Sequence, residues 1–362
     1  MIKKTKRTLH IVAKKSIEKK RAKTVRLDSV SEQLVMDKVL HVLKRMKTAE
    51  PVKRTNNSNP ARVIYKQLRI LLMSALSVDT DWLTEHIIKE GLRHQVKEVV
   101  SMPANQDLSD ALSQLNPDLL LVLGSEEPIA AHHLRALETA TVSKAIWLSD
   151  DVNVMETTKQ TAALFDFVFT QNVDHIPQYE HAGCKNVSYL PFAADHTVFH
   201  PKHVDEAYQS DVLLIGDAKS IQSEQIQGIL SIISNKKIFA AGNGWEAYDP
   251  ILTIQSNAPL QEYYNGAGII LNWQPSQRQI LEISACGAFQ FVEEHPNVNR
   301  MMNPDEDVIT FRTATDLCVK LEYYMNQADQ RRIVATRALM GSKYDYSFSQ
   351  MITKLLDAVF NT

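Results

Sequence analysis

Between residues 68 and 190, and again between 211 and 311, continuous apolar runs of strand length alternate with segments of helical periodicity. Runs such as Pro117-Asp-Leu-Leu-Leu-Val-Leu-Gly124 and Asp211-Val-Leu-Leu-Ile-Gly216 show no polar alternation, so both of their faces must be covered. Strands of that kind, separated by helices, specify a parallel sheet wound with helices on both sides. The first half predicts strands over 68–76, 96–102, 117–124, 144–149, 167–170 and 187–190, and helices over 81–90, 108–115, 128–139, 154–164 and 174–182. Pro191 to Gln209 interrupts the rhythm with prolines and polar residues. The second half predicts strands over 211–216, 237–240, 252–255, 268–273, 288–292 and 308–311, and helices over 224–233, 260–265 and 276–286. Helices over 314–326, 329–339 and 349–360 close the chain. The expected architecture is α/β: two doubly wound, Rossmann-like parallel-sheet domains facing a cleft, at 63–200 and 208–345, with a terminal helix in 346–362.

A length of 362 residues suits two such domains. The net charge of −2 conceals an asymmetry. Residues 1–62 hold 18 Lys and Arg against 5 Asp and Glu, which leaves the other 300 residues with 22 against 37. The segment therefore reads as a basic extension: a solvated tail, a surface for an anionic polymer, nucleic acid or membrane, or a transit peptide. Within it, Val30, Leu34, Val39, Val42, Leu43 and Met46 recur at helical spacing, so a helix over 29–47 is expected. Three scattered cysteines, Cys184, Cys286 and Cys318, form no disulfide framework and no paired metal knuckle, which favours a reducing compartment. No apolar run reaches the length of a membrane span. A bilobal periplasmic binding protein shares the layout but calls for a secretory signal, whose apolar core the N-terminus lacks. A cytoplasmic location is the expectation.

The densest chemistry lies in Gly268-Ile-Ile-Leu-Asn-Trp273 and the stretch Arg278-Gln-Ile-Leu-Glu-Ile-Ser-Ala-Cys-Gly-Ala-Phe-Gln-Phe-Val-Glu-Glu294. The order is strand, loop, helix, strand, with Pro275 and Ser276 opening the helix and Gly287 breaking it. A helix N-terminus above the carboxyl end of a parallel strand presents free N–H groups and a positive dipole end, which suits a phosphate. Glu282 sits inside that helix among apolar neighbours, where a carboxylate needs a reason.

This stretch resembles the Arg-x-Phe-Glu-x-x-Ala-Cys-Gly signature of CgeB-like, spore-maturation-type glycosyltransferases, relatives of the group-1 glycosyltransferases. Tyr189-Leu-Pro-Phe-Ala-Ala-Asp-His-Thr-Val-Phe-His-Pro201 is similar to the segment that closes their first domain, with one extra residue after the proline. Leu214-Ile-Gly216, Asn303-Pro-Asp-Glu-Asp-Val-Ile-Thr-Phe-Arg312 and the helix pair from Leu317 resemble further family segments. The likeness covers roughly residues 140–360 and implies the GT-B fold. It implies transfer of a sugar from a nucleoside diphosphate donor, held by the second domain, to an acceptor held by the first. The donor is then a substrate, and neither a resident cofactor nor a metal is expected. Under that resemblance Ser276, Gln277 and Arg278 would hold the diphosphate and Glu282 the ribose hydroxyls. Gly216 would let the backbone approach the donor phosphate, with Lys219 beside it, and the turn Gly242-Asn-Gly244-Trp245 would line the cleft. Arg278 stands one position before the family's arginine, whose place Gln279 takes.

Asp150 and Asp151 directly follow a first-domain strand, so a carboxylate facing the cleft is expected as general base for the acceptor, or as a hydrogen-bond partner of a sugar. Plainer readings stand beside each role. Asp150 or Asp151 caps the next helix, Glu282 pairs with a neighbour, Gly216 is a strand-end turn, and Lys219 is a surface lysine. Glu126 and Glu127 share the placement of the aspartates with a weaker claim. His196, His200 and His203 lie in the proline-punctuated linker, which gives them no fixed metal geometry. Tyr263 and Tyr264 are expected in the core rather than against a nucleobase, and Cys286 as a packed thiol rather than a nucleophile. The competing function is a catalytically inactive, glycosyltransferase-like binding or structural protein of a spore or cell surface. A sugar-nucleotide epimerase of the same bilobal form is a third.

Overall fold

The computed structural model describes residues 63–75, 78–102, 106–124, 129–149 and 155–361, with the backbone alone for 78–83. The expected helix over 29–47 lies outside the described residues. Strands β1 (Arg69–Ser74), β2 (Glu98–Met102), β3 (Leu119–Gly124), β4 (Ser143–Leu148), β5 (Phe167–Thr170) and β6 (Asn186–Tyr189) form one parallel sheet in the order β2-β1-β3-β4-β5-β6. Every residue of β3 is buried, as its unbroken apolar run requires. Ile70 pairs with Leu119 and Leu121 with Ala145, and successive side chains alternate between two cores. Ile70, Leu72, Leu121 and Trp147 enter one; Leu71, Met73, Leu120 and Ile146 enter the other. Helix α1 (Val78–Gln95) covers the first core. Helices α2 (Leu108–Leu115), α3 (Ala131–Thr139), α4 (Glu156–Ala162) and α5 (Ile176–His181) serve the second. Asp107 starts α2, its Oδ1 accepting the Ser109 and Asp110 N–H groups at 2.8 and 3.2 Å.

Strands β7 (Ser210–Ile215), β8 (Ile238–Ala241), β9 (Leu252–Ile254), β10 (Ala267–Asn272), β11 (Gln290–Glu293) and β12 (Ile309–Phe311) build a second parallel sheet in the order β12-β11-β10-β7-β8-β9. Its helices are α6 (Ser223–Ile233), α7 (Leu260–Gly266), α8 (Gln277–Ala285), α9 (Pro296–Met301), α10 (Ala314–Met325) and α11 (Ala328–Tyr344). α6 and α10 cover one face, through Ile226, Ile229, Leu317 and Leu321. α7 and α8 cover the other, through Tyr264, Ile283 and Cys286. The short α9 is absent from the sequence expectation. Its six residues leave no measurable periodicity, and its cap is a histidine, whose Nδ1 accepts the Asn297 N–H at 3.2 Å.

The final helix α12 (Phe348–Phe360) returns to the first lobe, where Met351, Ile352, Leu355 and Leu356 complete the core under α1. α1 runs past its expected end near 90 to Gln95, and Gly91 lies within it: a Cβ there would meet Ile352 Cδ1 at 2.5 Å, so glycine admits α12. Polar bonds secure the return. Gln95 Nε2 donates to Ser349 O at 2.8 Å, and Val63 N donates to Asn361 Oδ1 at 3.1 Å. Among the described residues, no helix is long and apolar enough to cross a membrane.

Candidate functional site

Chain order sets the site. From β7 the sheet grows through β8 and β9 on one side, and then through β10 on the other. The carboxyl ends of β7 and β10 therefore flank the point where strand order reverses, the place where open α/β sheets leave a crevice. Gly216 follows β7 with φ +122°, a conformation that favours glycine, and its N–H donates to Ala241 O at 3.0 Å. The loop after β8 lies directly against it. A Cβ on Gly242, where φ is +132°, would fall 2.2 Å from Gly216 O. Trp245 Nε1 donates to that same carbonyl at 2.6 Å, and Asp217 Oδ1 accepts the Asn243 N–H at 2.7 Å. Two glycine loops are thus locked into one ledge. Lys219 rests on it: a Cβ on Gly244, with φ +86°, would sit 3.4 Å from Lys219 Cγ. The fold accordingly brings Gly216, Lys219 and Gly244 together from two separate loops.

The third part of the crevice edge is α8. Ser276 is its N-cap, Oγ accepting the Gln279 N–H at 3.2 Å, so the preceding first-turn N–H groups lie beyond the helix's own carbonyls. Among the described residues, no donor reaches the buried side-chain oxygen of Gln277. Arg278 and Glu282 meet one turn apart: Arg278 Nε donates to Glu282 Oε1 at 3.0 Å, the side chains being 26% and 15% exposed. Arg278 Nη1 also donates to Thr84 Oγ1 on α1, at 3.1 Å. The two residues assigned from sequence to different parts of one ligand are therefore partners of each other. That agrees with the plainer reading of Glu282 as half of a pair.

Glu282 also colours its surroundings. Burial, and then its negative charge, push the Tyr264 phenol upward and the Cys286 thiol from 9.0 to about 12. Cys286 is a neutral, packed thiol. Tyr264 is buried, and Tyr263 lies edge-on against Tyr208 and Phe239, so both tyrosines belong to the core. On the first-lobe side, Asp150, Asp151, Glu126 and Glu127 lie outside the described residues. The adjoining strand ends are described, and Ser149 N donates to Gly124 O at 2.7 Å where β3 and β4 finish. Among the described residues no group of three or more His, Cys, Asp or Glu could hold a metal ion. His196 instead faces Ser342 O at 3.3 Å.

Sequence reasoning missed the contacts between lobes. Asn297 Oδ1 accepts the Val173 N–H at 2.9 Å, and its Nδ2 donates to Asn172 Oδ1 at 3.0 Å. Asn297 is 3% exposed, and no local pattern marks an asparagine whose partners lie more than a hundred residues away.

Residues 225–357 match the family model described as Glycosyl transferase-like. The chain is 21% identical to the spore protein CgeB of Bacillus subtilis over 272 residues, covering 67% of this chain and 83% of that protein. Among solved structures it resembles a glycosyltransferase from Rickettsia africae, with a TM-score of 0.60, 11% identity and coverage of 81% and 98%. It also resembles Anabaena HepE solved with UDP and glucose, with a TM-score of 0.58, 10% identity and coverage of 82% and 100%. The CgeB-like resemblance holds, and the fold is GT-B. The matched region runs from within α6 into α12 and so contains α8 with Arg278 and Glu282.

Proposed function

We propose that this GT-B protein is a glycosyltransferase that takes a sugar from a nucleoside diphosphate donor held at the carboxyl edge of the second sheet. The acceptor is held by the first lobe. The observation that carries this reading is the convergence of the Gly216–Gly242 ledge, Lys219 and the amino end of α8 at the reversal of strand order. A departing diphosphate gains negative charge, and the N–H groups already fixed at the amino end of α8 would stabilise it, with Lys219 and Arg278 as the cations that could turn to it. In the transfer, the acceptor oxygen forms its bond to the anomeric carbon as the anomeric carbon–phosphate oxygen bond breaks. The acceptor proton passes to a carboxylate, for which Asp150 and Asp151 are the candidates. Arg278 would turn from Glu282 and Thr84 towards the diphosphate. Ser276 and Gln277 would supply backbone N–H groups, Gly244 close approach, and Glu282 a partner for ribose. No metal takes part in this scheme. HepE, solved with UDP, makes UDP the first donor fragment to test.

Calorimetry with a panel of nucleoside diphosphates, on the wild type and on Glu282→Ala, tests the site. Binding of at least one nucleotide, weakened by the substitution, is expected; no binding to any of them sinks the donor site. The existing Arg278–Glu282–Thr84 contacts favour a second reading, a binding or structural protein without turnover, associated with a spore or cell surface. Nucleotide binding without release of nucleoside diphosphate from donor and acceptor mixtures would select it. For the basic extension we propose an anionic polymer or membrane surface as partner. Removing residues 1–55 should leave nucleotide affinity unchanged and weaken retention on an anionic matrix.

A further inference from the structure

The amino edge of the first sheet, opposite the crevice, carries an exposed basic face. Ile64, Lys66 and Gln67 lead into β1, and Arg93, His94 and Lys97 lie between the last turn of α1 and β2; all six are exposed. Two bonds hold them together. Lys66 Nζ donates to His94 O at 2.6 Å, and Lys97 N donates to Leu68 O at 3.0 Å. The basic extension ends at Arg62, four residues before Lys66, so its 18 Lys and Arg are continuous in sequence with this face. We propose that the face and the extension bind one partner, an anionic lipid surface.

Charge selects the sign of that partner. The neighbouring carboxylates are already answered. Glu90 Oε1 accepts Arg93 Nη1 at 2.6 Å, Glu98 Oε2 lies 3.7 Å from Arg69 Nε, and Asp118 Oδ2 accepts the Arg69 N–H at 2.7 Å. Lys66 and Lys97 have no carboxylate partner among the described residues. Their surplus charge adds to that of the extension, and each cation close to an anionic bilayer strengthens binding about fivefold.

Ile64 selects lipid over a polymer. Its side chain is 61% exposed beside these cations. A bilayer offers anionic headgroups with an apolar boundary beneath them, where an aliphatic side chain gains by leaving water. A phosphate polymer offers Ile64 nothing. Among the described residues this face has no exposed Phe, Tyr or Trp on which a base would stack. The six residues of β1 span about 20 Å, so a lobe seated on this face holds its crevice edge that far from the headgroups.

The lipid partner rests on the anionic reading of the extension, and vesicle co-sedimentation of the full chain separates the two. The probes are phosphatidylcholine vesicles with and without about one-third phosphatidylglycerol, and a heparin column as a lipid-free polyanion. Salt-sensitive binding to the anionic vesicles alone is expected. Lys66→Ser with Lys97→Ser should weaken it about 25-fold. Lys66→Arg with Lys97→Arg should bind as the wild type does, which separates charge from the Lys66–His94 bond. Ile64→Ser should weaken vesicle binding about fivefold and leave heparin retention unchanged. A Lys66→Ser, Lys97→Ser chain that binds anionic vesicles as tightly as the wild type overturns the face. If removing residues 1–55 then abolishes binding, the extension alone keeps its anionic partner. Heparin retention without vesicle binding overturns the lipid, as does equal binding to neutral vesicles or an Ile64→Ser chain that binds vesicles as the wild type does. A full chain that binds neither probe removes the face and the reading of the extension together.

Discussion

Arg278 Nη1 donates to Thr84 Oγ1 at 3.1 Å while Nε of the same guanidinium donates to Glu282 Oε1 at 3.0 Å. One side chain therefore ties α8 of the second lobe to α1 of the first. It is also the cation assigned to the donor diphosphate, so ligand and lobe contact compete for one group. Under the proposed donor reading, nucleotide binding and the relation between lobes would be coupled through it.

Two substitutions separate these roles. Arg278→Ala removes the cation and leaves the Glu282 carboxylate without this hydrogen bond, at a cost of about 1–3 kcal/mol in stability. It should weaken UDP at least about tenfold. Thr84→Val keeps the shape and deletes the competing acceptor, so UDP should bind as tightly as to the wild type or a few-fold tighter. Calorimetry on both variants checks this. A Thr84→Val protein that loses as much affinity as Arg278→Ala would assign Arg278 to the lobe contact rather than the ligand.

The fold was legible because each strand carries a strong local signal. Leu119 to Leu123 and Val212 to Ile215 are buried on both faces, and their sequence says so without alternation. The glycine ledge was half legible. Gly216, Gly242 and Gly244 announce special backbone, but only folding brings Gly242 against Gly216 O. The pairing of Arg278 with Glu282 follows from their one-turn spacing, whereas Thr84 is 194 residues away and leaves no trace in the local pattern.

The ledge makes a sharp demand on backbone. Gly242→Ala places a methyl group against Gly216 O, a backbone atom without room to move, at a positive φ. It should cost more than about 3 kcal/mol and abolish UDP binding. Gly183→Ala supplies the control: its φ is +96°, and a Cβ there meets nothing within 4 Å. That variant should lose only the conformational cost, about 1–2 kcal/mol, and keep its ligand affinity. Urea midpoints together with UDP titrations measure both, and equal losses in the two variants would contradict the close approach.

Cys286 gives a pH dependence with a defined sign. Burial first, and the Glu282 charge second, raise its thiol from 9.0 to about 12 in the folded chain. A raised folded value means that its stabilising contribution is complete below about pH 9. Above that the unfolded thiol ionises first, and stability falls by about 1.4 kcal/mol per pH unit until the folded thiol also titrates. The difference between wild type and Cys286→Ala should therefore shrink from pH 9 towards 12, as read from urea midpoints. The native thiol should also resist iodoacetamide at pH 8. Rapid alkylation of Cys286 in the folded protein would show that this burial is wrong.

The return of α12 makes the first lobe depend on the last residues of the chain. Leu355 is fully buried in the core that holds Ile70, Leu72 and Leu121 of the first sheet, although it follows the entire second lobe in sequence. Leu355→Ala should cost about 2–5 kcal/mol, the range for a large-to-small change with a residual cavity. The loss should be local in one specific sense. Hydrogen exchange should quicken at the amides of β1 and β3, while β7 and β10 keep their protection, because their core is built from α6, α7, α8 and α10. Faster exchange confined to β7 and β10 would contradict the assignment of α12 to the first lobe. Equal loss in both lobes would show instead that the Arg278–Thr84 and Asn297–Val173 bonds are enough to make the two sheets unfold together.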